Sequence, residues 1–66
     1  MRIEMLVKEI RQQKKITLKQ LANNSNVSRT HINDIENNIK TPSLLIVVMI
    51  ARALKVDIKE TYKVIW

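Results

Sequence analysis

An all-α fold, a compact bundle of five short helices, is predicted on three observations. Thr17, Ser28, Ser43 and Asp57, residues of the kind that open helices, punctuate the chain at regular intervals. The segments between them space apolar residues three and four apart, without strand-like alternation. The 66 residues contain no repeat, low-complexity tract or linker, so residues 1–66 form one domain.

The first helix is expected from Glu4 to Lys15, with Leu6, Val7 and Ile10 inward and Lys8, Arg11, Lys14 and Lys15 outward or marginal. Lysines in its last turn suit the negative end of the helix dipole. Thr17 opens the second helix. Its hydroxyl can accept from a free backbone N–H, Gln20 three residues on completes a capping box, and Leu21 and Ala22 point inward. Ser28 opens the third helix, which places Ile32 and Ile35 on one face, with Val27 just ahead of the cap. Between these helices lie Asn24, Ser25 and Asn26. Asn26 can take the left-handed backbone conformation in a chain that has no Gly.

Asn38 can fill the left-handed position just past the end of the third helix. Ile39 to Pro42 form a loop, and Ser43 caps a fourth helix from Leu44 to Leu54. Asp57, with Glu60 three residues later, opens a fifth. The tail from Tyr62 to Trp66 is β-prone and alternates, so a short terminal strand pair against Met1 to Ile3 is the alternative to continued helix.

The second and third helices, joined by a tight turn and crossing at the small Ala22, read as a helix-turn-helix. A plain helical hairpin would carry the same caps. The surface of the third helix separates the two readings. At about 100° per residue, Thr30, Asn33, Asp34 and Asn37 project away from Ile32 and Ile35, and Arg29 lies in the first turn. Arg suits guanine and Asn suits adenine in the major groove. Asp34 can accept from cytosine or bond His31 or Arg29, the latter being the expected use.

Twelve Lys and Arg against six Asp and Glu give a formal charge of +6, which favours a polyanion: nucleic acid first, an acidic membrane surface second. The absence of Cys excludes disulfides and thiolate metal sites and fits a reducing, cytoplasmic setting. The longest apolar run, Leu44 to Ala51, is too short to span a bilayer. With His31 the only His, no Gly-rich phosphate loop and no carboxylate pair on a concave surface, neither an enzyme nor a metal, cofactor or small-molecule site is expected.

Ile10-Arg11, Thr17, Leu21-Ala22, Val27-Ser28-Arg29, Ile32, Ile35-Glu36, Thr41 to Leu44, Ile50-Ala51, Ala53-Leu54 and Val56-Asp57 stand in register over about residues 3 to 62. In these residues the chain resembles the Cro/CI-type (XRE-like) helix-turn-helix regulators. The resemblance implies a transcriptional regulator, in the usual case a repressor, that binds a dyad-symmetric operator in double-stranded DNA as a homodimer. It puts base reading on Arg29, Thr30, Asn33 and Asp34, and phosphate contacts on Ser28, Asn37 and Lys40. Where the family usually has Gln after the Thr17 position this chain has Leu18, which leaves Thr17 and Lys19 at the helix start as the phosphate candidates. Arg11 and Glu36 match a pair that in this family bridges the first helix to the recognition helix.

A 66-residue domain buries only about 60% of its unfolded surface, so dimerisation would help it. The fourth helix can fill its core stripe with Leu44, Val47, Val48, Ile50, Ala51 and Leu54. That leaves Leu45, Ile46 and Met49 without an interior partner, and with Tyr62, Ile65 and Trp66 they are the candidate dimer surface. Trp66 could equally cap the protomer's own core. The rival function is a protein-interaction module, antitoxin-like or an anti-repressor subunit, that uses the apolar face of the fourth helix. Such a module has no need of Arg29, Thr30 and Asn33 together.

Overall fold

Apolar side chains from every helix meet in one core in the computed structural model, which describes residues 1–66. Strand β1 (Arg2–Met5) is followed by helices α1 (Val7–Gln13), α2 (Leu18–Ser25), α3 (Arg29–Glu36) and α4 (Leu44–Leu54). A 3-10 turn (Ile58–Thr61) then leads into β2 (Tyr62–Ile65). Val7, Leu21, Ile32, Ile35, Ile50 and Leu54 are almost wholly enclosed, and Met5, Val27 and Val47 complete the buried cluster. Full burial of such a side chain is worth about 1.5–3 kcal/mol, so these few residues supply most of the driving force in a domain this small. No helix is long and apolar enough to cross a membrane.

The cap residues hold the helix starts through bonds between residues two or three apart. Thr17 Oγ1 accepts from Gln20 N–H at 3.0 Å while the Thr17 N–H donates to Gln20 Oε1 at 2.8 Å. Ser28 Oγ accepts from His31 N–H at 3.1 Å, and Ser43 Oγ from Ile46 N–H at 3.3 Å. Asp57 accepts from Lys59 N–H, and its own N–H donates to Glu60.

The helix ends repeat one device. After α1, α3 and α4 a left-handed residue, Lys15, Asn38 or Lys55, lets the next N–H reach back to a carbonyl five residues earlier: Ile16 to Arg11, Ile39 to Asp34, and Val56 to Ala51. Ile16 and Val56 also pack on the core, whereas Ile39 is exposed. A left-handed Lys carries a Cβ penalty of about 1–2 kcal/mol, against about 0.5–1 kcal/mol of extra chain entropy lost by Gly. Lys55→Gly is therefore expected to stabilise the domain by about 0.5–1 kcal/mol, read as a higher urea midpoint at unchanged slope. A midpoint that falls would show that the Lys55 side chain contributes more than its backbone strain costs.

Three expectations are corrected. First, there are four α-helices, not five. The cap at Asp57 forms, but Thr61, fully buried, donates its hydroxyl to the Ile58 carbonyl at 2.6 Å, and Tyr62 is already extended. The chain leaves the helical path there because β2 pairs antiparallel with β1, Met5 opposite Tyr62 and Arg2 opposite Ile65. Second, that pairing takes Glu4 and Met5 out of the helix expected from Glu4 to Lys15. The Leu6 N–H donates to the Thr61 carbonyl at 2.7 Å and α1 starts at Val7; the left-handed Lys15 closes its other end. Third, the buried line of α4 is Val47, Ile50, Ala51 and Leu54, while Leu44 and Val48 face outward at 72% and 37% exposure. Ile46 and Met49, expected to lack interior partners, are half-buried against the core.

Candidate nucleic-acid interface

The turn between α2 and α3 is fixed from inside. Val27 is buried, Ser25 is buried with its Oγ accepting from the Val27 N–H at 3.3 Å, and Asn26 between them is left-handed with φ of 61°. Asn pays less than most residues for that conformation, which is why a chain without Gly can make this turn. With the turn held and Leu21, Ile32 and Ile35 seated in the core, the orientation of α3 about its own axis is set. The opposite face of α3 is set by the same constraint.

On that face Arg29, Thr30, Asn33 and Asn37 are exposed, and Asp34 is half-buried. Asn37 Nδ2 donates to the Asn33 carbonyl at 3.0 Å and to Asn33 Oδ1 at 3.3 Å. The Asn33 amide group thus keeps its own N–H donors free for a base edge. Asp34 pairs with neither His31 nor Arg29, the expected partners. Its Oδ2 lies 4.0 Å from Lys40 Nζ, because the loop after α3 folds back beside it. The ion pair is exposed on the Lys side and is worth little by itself.

Thr17 and Lys19 are exposed at the start of α2 and Ser28 at the start of α3. Both hydroxyl oxygens accept from their own helices, which leaves each hydroxyl proton available to a phosphate oxygen. Leu18, beside them, packs on the core. Lys40 is exposed in the loop.

Behind α3, Arg11 and Glu36 meet side by side. Arg11 Nε donates to Glu36 Oε2 at 2.6 Å and Nη2 to Oε1 at 3.1 Å, a two-pronged contact, while Nη1 donates to the Ile16 carbonyl at 3.0 Å. The side chains are 14% and 4% exposed. The hydrogen bond to Glu36 raises the Arg11 pKa, burial opposes the rise, and the charge of Glu36 adds to it. Residues 25 apart are thereby tied, fixing the end of α3 to α1.

Of the residues expected at a dimer surface, Leu45 and Trp66 are exposed, whereas Ile46, Met49, Tyr62 and Ile65 are half-buried. Tyr62, like Ile46 and Met49, packs on the core. Leu44 and Val48 join Leu45 on the exposed side of α4. Sequence reasoning placed Asn38 in the left-handed position but missed that its Oδ1 accepts from the Met5 N–H at 2.9 Å, and it missed the bond from Arg11 to the Ile16 carbonyl. The first leaves no local signal, since Met5 and Asn38 lie 33 residues apart on separate elements; the second closes the end of α1 within five residues.

A helix-turn-helix family model, HTH_3, matches residues 7–60. Among solved structures, the restriction-modification controller protein C.AhdI from Aeromonas hydrophila is similar with a TM-score of 0.79 at 26% identity, over 82% of this chain and 82% of that one. The restriction-modification controller protein C.Esp1396I is 35% identical with a TM-score of 0.73, over 77% of this chain and 66% of that one. ClgR, a clp gene regulator from C. glutamicum, is 26% identical with a TM-score of 0.77, over 82% of this chain and 70% of that one. No curated protein matches the chain.

Proposed function

The chain belongs to the XRE-like helix-turn-helix family, and on that premise we propose that it is a transcriptional regulator that binds double-stranded DNA sequence-specifically, as a repressor. The observation that carries this reading is the face of α3: Arg29, Thr30 and Asn33 stand exposed on a helix whose opposite side, Ile32 and Ile35, is locked into the core. Its function is binding and not catalysis. A helix presented in this way enters the major groove, where Arg29 reads guanine and Asn33 reads adenine, with Thr30 and Asp34 as the further base contacts. Thr17, Lys19, Ser28, Asn37 and Lys40 hold the phosphates on either side. These contacts set orientation and carry no sequence information.

The protein acts as a homodimer. The outward-facing Leu44, Leu45 and Val48 on α4 and the 90% exposed Trp66 are large apolar side chains in contact with solvent, which supports this reading. A two-fold contact through them presents two copies of α3 to successive turns of the duplex, roughly 34 Å apart. A dimer selects a two-fold symmetric site; a protomer acting alone selects one half of it.

Arg29→Ala and Asn33→Ala are expected to relax base preference at one position each, by about 1–3 kcal/mol of discrimination per lost two-pronged contact. Lys40→Ala is expected to weaken binding to all sequences alike. Binding to a panel of duplexes that differ by single base pairs separates these effects. An Arg29→Ala protein with unchanged base preference would move the reading face elsewhere.

A further inference from the structure

The loop after α3 is nearly free of internal bonds. Lys40, Thr41 and Pro42 take part in no backbone–backbone hydrogen bond, and Ile39 is exposed instead of packing inward as Ile16 and Val56 do at the equivalent positions. The Asp34–Lys40 contact, at 4.0 Å with Lys40 mostly in solvent, is too loose to fix the loop. The path of the loop is therefore set before Lys40, by the Ile39 N–H bond to the Asp34 carbonyl at 2.9 Å and by Asn38. Its backbone is left-handed with φ of 56°, its N–H donates to the Ile35 carbonyl at 3.1 Å, and its side-chain Oδ1 accepts from the Met5 N–H at 2.9 Å. That last bond is the one side-chain hydrogen bond between the terminal sheet and the segment that follows the recognition helix. It also occupies an edge donor of β1 that β2 does not use.

Gly would satisfy the backbone at this position at no steric cost, but Gly has no acceptor for Met5. We propose that Asn38 is a positioning residue for DNA binding: by bonding the Met5 N–H it holds the loop so that Lys40 stands at a phosphate, and it couples the terminal sheet to the DNA-facing loop. This rests on the reading of Lys40 as a phosphate contact. Because a phosphate contact is indifferent to sequence, a random-sequence duplex is a sufficient probe.

The test is a double-mutant cycle on affinity for that duplex, with Asn38→Gly and Lys40→Ala made singly and together. In the wild-type background Lys40→Ala should weaken binding about tenfold and lower the salt slope by about one. In the Asn38→Gly background the same change should cost less than about twofold, because Lys40 is no longer held in place. Asn38→Asp keeps the acceptor and tolerates the left-handed backbone, so it should restore the dependence on Lys40. Amide hydrogen exchange gives a second readout: Met5 should lose protection in Asn38→Gly and keep it in Asn38→Asp. Equal Lys40→Ala losses in the wild-type and Asn38→Gly backgrounds would overturn the proposal, as would a Met5 amide still protected in Asn38→Gly. If Lys40→Ala costs nothing in the wild-type background, the phosphate reading of Lys40 has failed and the proposal falls with it.

Discussion

Glu36→Gln is expected to destabilise the domain by about 3 kcal/mol. The substitution leaves the Arg11 guanidinium, 14% exposed, without the carboxylate that meets it at 2.6 and 3.1 Å, and only neutral acceptors, the Gln amide oxygen and the Ile16 carbonyl, remain as partners. Stranding one member of a buried pair typically costs about 3–5 kcal/mol, and Gln keeps one acceptor, which places the value at the lower end. A domain of this size has about 3–10 kcal/mol in total, so the loss is a large share of it. Thermal unfolding should shift down by about 12–24 °C. Arg11→Met combined with Glu36→Leu should recover most of that loss, since no charge is left behind. The raised Arg11 pKa means that this residue's contribution is fully present below the ordinary Arg range and is lost only as pH rises through strongly alkaline values. A Glu36→Gln protein that melts with the wild type would show the pair to be an ordinary surface contact.

DNA affinity is expected to fall by about 10²-fold or more between roughly 50 and 200 mM salt, the value for a protein that neutralises about four phosphates. The expectation follows from the proposed homodimer, in which the exposed cationic phosphate candidates Lys19 and Lys40 occur twice, on protomers of formal charge +6. The quantity to measure is the slope of log K against log salt. A slope near zero would mean that counterion release contributes nothing and that the basic surface serves another partner.

The elements legible in the sequence are those whose determinants are local. Thr17 and Gln20, Ser28, Ser43 and Asp57 act on backbone groups within three residues, so the starts of α2, α3 and α4 and the cap at 57 could be read directly. The inward placement of Ile32 and Ile35 follows from one helical period, and with it the exposed face that carries Arg29 and Asn33. The terminal sheet is different. Whether Glu4 and Met5 join a helix or a strand depends on Lys63 and Tyr62 at the far end of the chain, and the local pattern allows both. The face of α4 was obscured because Leu44 to Ala51 are all apolar, so the period that should mark the buried side is absent. Lys15 in left-handed conformation breaks the usual preference for Gly or Asn, and nothing in its neighbours announces it; the left-handed Lys55 stands where the Cro/CI-type family commonly has Gly, so there the resemblance marks the position. The contact between Arg11 and Glu36 is not deducible from spacing at all; only the family resemblance pointed to it.

Selection of bound fragments from a random duplex library tests the central claim most directly. The account predicts a short enriched motif with two-fold symmetry, its half-sites about one helical turn apart, and loss of preference at one symmetry-related pair of positions when the selection is repeated with Arg29→Ala. A library that emerges without an enriched motif, or a motif that Arg29→Ala leaves unchanged, would contradict it.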